Sequence, residues 1–187
     1  MNKVIIMSIQ PEWLAKVLNG EKTIDIRKTM PKCELPIDVY IYCTKTNKKG
    51  LCMVGINGNE TYYQKYDRNA VYSPGHNYIG NGKVIAKFTL NKCYELEYED
   101  NYGNSYFWKN TVISGRELCE KSCLDDCELE DYSNGKTLYA WHIDNLVIFD
   151  KPMELREFST SPYTDWVEYR VRKAPQSWQY IYIEEDK

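Results

Sequence analysis

The sequence lacks the signatures that mark several large classes of enzyme. It has two histidines among 187 residues, no glycine-rich phosphate loop ending in Lys-Ser or Lys-Thr, no G-x-S-x-G turn and no H-E-x-x-H pair. No apolar run approaches the ~18 residues that are needed to span a bilayer, and the first ten residues lack a signal-peptide pattern. We therefore expect a cytoplasmic protein that does not contact a membrane.

The cysteines give little support for a metal site or a disulfide framework. Their number, seven, is odd, which favours free thiols in a reducing compartment. Cys119, Cys123 and Cys127 are spaced by four, so a continuous helix would carry them on one stripe. Structural zinc sites gather four ligands, and no fourth cysteine or histidine lies nearby in the sequence. We predict no metal and no cofactor.

Charge is distributed unevenly along a chain whose net charge is only −3. Residues 16–49 contain eight basic and four acidic residues, which gives +4. Residues 93–134 contain eleven acidic and three basic residues, which gives −8. This polarity would direct an anionic ligand toward the N-terminal half. Two ordinary solvated faces would produce the same pattern.

Short strands dominate the predicted secondary structure. Tyrosine occurs 17 times, and tyrosine, valine and isoleucine favour half-buried pleated surfaces. The clearest strand patterns are residues 3–8, 23–27, 37–44, 51–56, 82–90, 138–143, 146–149 and 178–183. One early helix begins at Pro11, which suits a first helical turn, and ends at Asn19-Gly20.

Two longer segments interrupt the strands. Residues 58–81 are rich in glycine, asparagine and tyrosine and read as a surface excursion. Residues 93–134 read as an acidic helical insert, with helices near 115–121 and 124–132. Ser114 and Glu117 form a capping-box pattern at the first of these helices. Together the patterns predict one domain, 1–187, of the α+β, mainly β, class with a small closed or nearly closed β-barrel.

Three segments carry a resemblance to a known family. They are Ser8–Glu12 with Gly20–Arg27, then Leu138–Ile143, then Ala174–Trp178. In order and spacing the segments resemble the ASCH domain family of the PUA-like superfamily, in its prophage and bacterial type. The resemblance implies a PUA-like barrel with a few flanking helices and a cleft beside the early helix. It also implies a link to RNA.

The same resemblance implies a possible catalytic activity. Some family members resemble a small amidohydrolase that removes the acyl group from N4-acetylcytidine, using a lysine, a threonine three residues later and a glutamate from another strand. Lys22 matches that lysine. Asp25 stands at the threonine position, which is a departure, and no residue is assigned to the glutamate. If the protein is an enzyme, we expect Lys22 and Asp25 to be its catalytic residues.

Lys22, Asp25 and Arg27 form the sharpest polar constellation. Asp25 and Arg27 alternate with Ile24 and Ile26, so they share one strand face. Arg27 could grip a phosphate with two donors, and Lys22 could act as a point charge or, when desolvated, as a base or nucleophile. An outward surface ion pair would show the same residues.

Other ligand-binding candidates lie outside this strand. Ser8 and Gln10 could read a base edge, or could serve only the turn into the first helix. Trp178, or one of the tyrosines at 62, 63, 66, 72 and 78, could stack on a base, or could be a packing residue.

The sequence predicts RNA or nucleotide binding through a polar cleft formed by Ser8, Gln10, Lys22, Asp25, Arg27 and Trp178. One alternative is a hydrolase that acts on an acylated nucleoside or on RNA phosphodiesters. A further alternative is a non-catalytic interaction module in which the acidic insert covers the cleft.

Overall fold

The computed structural model describes residues 1–46, 50–58, 60–67, 69, 76–100, 106–109, 112–163 and 167–184, with the side chains of 99–100 and 106–109 left aside. Within these ranges the chain is mainly β. The strands are β1 (Asn2–Ile9), β2 (Ile24–Arg27), β3 (Ile37–Cys43), β4 (Leu51–Gly55), β5 (Thr61–Gln64), β6 (Asn77–Ile79), β7 (Val84–Leu90), β8 (Cys93–Asp100), β9 (Tyr106–Lys109), β10 (Leu138–His142), β11 (Asp144–Met153) and β12 (Trp178–Ile183). The α-helices are α1 (Pro11–Leu18), α2 (Gly115–Ser122) and α3 (Asp126–Ser133).

Local sequence signals set the ends of the helices. Helix α1 begins at Pro11, and the chain leaves it through Gly20, whose φ of +76° is accessible to glycine at little cost. The Ser114 hydroxyl accepts a hydrogen bond from the Glu117 backbone N–H at 3.3 Å, which confirms the Ser114 half of the predicted capping box of α2. Asp125 caps α3 in the same way.

The first of two compact units contains residues 1–19, 37–89 and 145–187. Its main sheet has the order β11-β7-β3-β1-β12, with β1 parallel to β3 and antiparallel to β12. A smaller sheet has the order β5-β4-β6. Apolar side chains such as Ile6, Phe158 and Ile181 form a buried cluster in this unit.

The predicted barrel is not confirmed by the strand pairing. A barrel closes only when its first and last strands pair with each other, which removes the sheet edges. Among the described residues, the main sheet instead runs from β11 at one edge to β12 at the other. The predicted excursion at 58–81 contains β5 and β6, because its tyrosine-rich stretches pair with β4.

The second unit contains residues 20–36 and 90–144. Its sheet has the order β2-β10-β8-β9, so β2 is an edge strand, and α2 and α3 follow β9 in the chain. The predicted helical insert is therefore half hairpin (β8 and β9) and half helix. The buried cluster of this unit consists of Ile24, Ile26, Leu96, Ile113, Leu118, Leu129, Leu138 and Ala140.

No helix in the described part of the chain is both long and apolar enough to cross a bilayer.

Candidate functional site

The edge strand β2 carries the polar side chains that the sequence singled out. All four of its residues are buried. Ile24 and Ile26 enter the apolar cluster of the second unit, and the alternation of a strand sends Asp25 and Arg27 to the opposite face. Asp25 and Arg27 thus share one face of β2, as predicted, and both side chains are buried on that face rather than exposed to solvent.

Lys22, Asp25 and Arg27 converge into a buried triad of charges. The Arg27 Nε donates to Asp25 Oδ2 at 2.6 Å, and Lys22 Nζ lies 3.7 Å from Asp25 Oδ1. The residues are only 3% (Lys22), 5% (Asp25) and 8% (Arg27) exposed. One carboxylate therefore bridges two cations where solvent screening is weak, so each interaction is stronger than on a surface.

Lys22 also caps the C-terminal end of α2. Its ammonium donates to the carbonyl oxygen of Ser122, the last residue of the helix, at 2.7 Å. The final carbonyls of a helix lack intrahelical partners and carry the negative end of its dipole, so a lysine there is favourable. The side-chain hydroxyl of Ser122 is buried and has no hydrogen-bond partner among the described residues.

The segment around Lys22 is held against the α2 terminus by two further contacts. The Thr23 backbone N–H donates to the Lys121 carbonyl at 2.9 Å. The Cys123 thiol donates to the Glu21 carbonyl at 3.4 Å. Residues 21–23 and 121–123 thus run side by side, which fixes the position of the Lys22 backbone relative to α2.

Burial controls the protonation of Lys22. Desolvation lowers the pKa of its ammonium below the ordinary lysine value, because the charged form loses hydration inside the protein. The negative charge of Asp25 opposes this shift, and the positive charge of Arg27 adds to it. A lysine with a lowered pKa can supply a neutral amine more readily than an exposed one.

Two residues that the sequence analysis did not single out lie next to the triad. The Lys28 ammonium is 5.0 Å from the ring centroid of Tyr132 in α3, a cation–π contact. Tyr132 is 40% exposed. Burial raises the pKa of its hydroxyl, while the charge of Arg27 lowers that pKa and the charge of Asp25 raises it. No local pattern links Lys28 to Tyr132, because the two are far apart in sequence.

The remaining predicted ligand residues belong to the first unit. The Ser8 hydroxyl is buried and donates to the Pro175 carbonyl at 2.7 Å, and the Ser8 backbone N–H donates to the Ser177 carbonyl at 2.8 Å. Gln10 is exposed at the N-cap position of α1 and makes no side-chain cap hydrogen bond. Trp178 lies opposite Met7 across the strand pair and packs edge-on against a tyrosine ring. Ser8 and Trp178 are thus close together.

Trp141 and His142 occupy the middle of the second unit. Trp141 is fully buried, and its indole N–H donates to the Thr29 carbonyl at 3.2 Å. The His142 ring packs edge-on against Tyr94 at 5.1 Å between centroids, and burial lowers its pKa. Its Nε2 atom is buried without a hydrogen-bond partner among the described residues. These environments fit packing roles for both side chains.

The cysteine stripe does not form. Helix α2 ends at Ser122, and Cys123 adopts a left-handed conformation with φ of 55°, so Cys119 and Cys127 belong to different helices. The described residues contain no group of three or more histidine, cysteine, aspartate or glutamate side chains that could hold a metal ion.

Solved structures resemble this chain in fold. A crystal structure of ASCH from Zymomonas mobilis aligns with a TM-score of 0.54 at 17% identity, covering 94% of this chain and 85% of that chain. A crystal structure of a serine-to-alanine mutant of that protein aligns with a TM-score of 0.50 at 16% identity, with coverages of 94% and 85%. No family model and no curated protein matches the sequence. The chain therefore shares an ASCH-type fold, as its three motifs predicted, and its chemistry must be argued from its own residues.

Proposed function

We propose that this protein binds RNA or a nucleotide at a polar site built on Lys22, Asp25 and Arg27. The observation that carries the proposal is the buried triad itself, in which two cations share one carboxylate. The three side chains together have a formal charge of +1. In a poorly solvated site, that excess favours an anionic group such as a phosphate.

The triad is also pre-organised for phosphate recognition. Asp25 fixes the Arg27 guanidinium through its Nε, which restricts the rotamers of an otherwise flexible side chain. A guanidinium held in advance loses less conformational entropy when a ligand binds. Lys22 is likewise fixed, because its ammonium is bonded to the end of α2. Both cations are therefore positioned before any ligand arrives.

Taken by itself, the first unit offers three proposed ligand-binding residues, Ser8, Gln10 and Trp178. Gln10 is exposed and offers both donor and acceptor atoms, which suits a base edge. Trp178 is partly exposed and offers an aromatic surface. Ser8 is retained as a proposed ligand-binding residue at the end of β1, where its hydroxyl donates to the Pro175 carbonyl.

An electrophoretic mobility assay with short RNA and single-stranded DNA tests the proposal. We expect salt-sensitive binding by the wild type, because phosphate contacts release counterions. Arg27→Ala should weaken it by at least tenfold, since a charge-assisted hydrogen bond contributes about 1.5–3 kcal/mol. Arg116→Ala is the matched control, because the Arg116 side chain is 89% exposed and pairs along the surface of α2 with Glu120. The absence of binding, or equal binding by both variants, would reject the proposal.

The lowered pKa of Lys22 favours a second candidate function, hydrolysis of an acylated nucleoside or of an RNA phosphodiester. Lys22 would act as base or nucleophile, and Asp25, 3.7 Å away, would steer its protonation. Incubation with N4-acetylcytidine and with labelled RNA tests this candidate. Turnover should rise with pH as Lys22 loses its proton and should vanish in Lys22→Met. Lack of turnover, or turnover that survives in Lys22→Met, would eliminate the candidate.

We also propose a cytoplasmic location and a prophage or bacterial ASCH type for the protein. The location is supported by the cysteines, all of which are free thiols. The type is supported by the segments Leu138–Ile143 and Ala174–Trp178. Measuring free thiols with and without reductant in freshly lysed cells checks the first point.

A further inference from the structure

We infer that Tyr132 and Lys28 form a base-stacking platform beside the triad, which takes the nucleobase of a nucleotide whose phosphate lies at Arg27. The inference rests on the proposed function and deepens it, since it names the part of the ligand that the triad does not bind. We call these two residues the Tyr132 platform.

The position of the Tyr132 ring carries the inference. The ring is partly exposed, on the last turn of α3, and lies under the Lys28 ammonium. Lys28 directly follows Arg27 in the chain. Two consecutive residues therefore place one cation in the triad and the next cation over the Tyr132 ring. The hydroxyl of Tyr132 lies near enough to the Arg27–Asp25 pair for both charges to act on it.

The chemistry of the two surfaces is complementary to a nucleotide. The triad offers fixed positive charge without an aromatic face, and Tyr132, which contacts the residue that follows Arg27, offers an aromatic face. An inorganic anion would use only the first surface. A nucleotide would use both, because every base has a π-face that stacks on an aromatic side chain.

Lys28 can serve both the empty and the occupied platform. In the structure its ammonium covers the Tyr132 ring, a cation–π contact of the kind that is weak at exposed sites. A base that stacks on this ring face displaces the ammonium. The four-carbon stem of lysine is flexible, so the freed cation can pair with a phosphate of the same ligand.

Fluorescence anisotropy with two labelled oligonucleotides of equal length, one RNA and one abasic, tests the platform. Tyr132→Ala should weaken RNA binding by roughly five- to hundredfold, the range expected for loss of one base–aromatic stack. The same variant should bind the abasic strand as tightly as the wild type does. Tyr132→Phe keeps the ring and should retain wild-type affinity for both strands.

Tyr163→Ala is the matched control, because Tyr163 is 94% exposed and lies outside both proposed surfaces. Circular dichroism on each variant establishes that α3 is retained. If Tyr132→Ala weakens RNA and abasic binding equally, or weakens neither, the platform is rejected, and the proposed function survives provided that Arg27→Ala weakens binding at least tenfold. If the wild type binds neither strand, both the platform and the proposed function are rejected.

Discussion

Replacing Asp25 by asparagine should be among the most damaging single changes in the second unit. Asparagine has nearly the shape of aspartate, so packing is retained while the negative charge is removed. The change leaves Arg27 and Lys22 buried without the carboxylate that bridges them. Two like charges then face each other in a region that is at most 8% exposed.

The expected magnitude follows from the burial of the triad. Removing one partner of a buried ion pair costs about 3–5 kcal/mol, because the remaining charge loses its compensation but not its desolvation cost. Whole-domain stabilities are only about 5–15 kcal/mol, so this loss is a large fraction of the total. We therefore expect Asp25→Asn to shift the urea midpoint strongly downward.

Urea unfolding followed by circular dichroism and tryptophan fluorescence measures this loss. The chain has five tryptophans, and fully buried Trp141 lies opposite Asp25 across the β2–β10 pair, so part of the emission change on unfolding comes from beside the site. Glu120→Gln is the matched control, because Glu120 forms an exposed ion pair with Arg116 that is worth about 0–1 kcal/mol.

A loss below about 1 kcal/mol in Asp25→Asn, similar to that of the control, would refute the reasoning. It would mean that water or other groups compensate the two cations without Asp25. The double variant Asp25→Asn/Arg27→Gln gives an independent check. The second substitution removes one of the two buried cations that Asp25→Asn leaves without a carboxylate. The double variant should therefore be more stable than Asp25→Asn alone, as expected for coupled residues.

Three further predictions concern the same unit. The pKa of Lys22 is lower in the folded than in the unfolded protein, whose reference value is 10.5, so the unfolded chain binds more protons between these two values. As pH rises across that window, the free energy of unfolding should therefore rise in the wild type relative to Lys22→Met. If urea unfolding gives parallel pH profiles for the two proteins, the expectation is wrong. Ser114→Ala removes the acceptor for the Glu117 N–H and should lower the free energy of unfolding by about 1 kcal/mol, measured by thermal unfolding. An unchanged melting temperature would contradict this. Ser122→Ala should be neutral or should stabilise the protein by up to about 1 kcal/mol, because it removes a buried hydroxyl without a hydrogen-bond partner among the described residues and keeps the carbonyl that Lys22 contacts. A clear loss of stability would contradict this expectation.

The sequence predicted the structural features that depend on near neighbours. Asp25 and Arg27 are two residues apart, and the pleat of any strand places such a pair on one face. Ser114 and Glu117 are three apart, and the geometry of a helical turn brings the hydroxyl to the N–H. Pro11 and Gly20 act through their own backbone torsions.

Features that depend on distant parts of the chain were not predictable in the same way. The bond from Lys22 to the Ser122 carbonyl joins residues 100 positions apart. The contact between Lys28 and Tyr132 likewise joins the residue after β2 to the acidic insert. Strand closure is also non-local, which is why a pattern of short strands suggested a barrel that the pairing among the described residues does not confirm.

The sequence by itself determined the ends of α1 and the strands with a clear apolar pattern, such as β1, β3 and β7, because torsional preference and side-chain periodicity act over a few residues. It did not indicate the strands inside the predicted excursion and insert, β5, β6, β8 and β9. Only the tertiary structure decided that the charges of Lys22, Asp25 and Arg27 are buried together. Only it decided that the Lys22 ammonium is hydrogen-bonded to the end of α2. Burial and long-range pairing depend on which segments pack against β2, and the residues of β2 alone do not specify those segments.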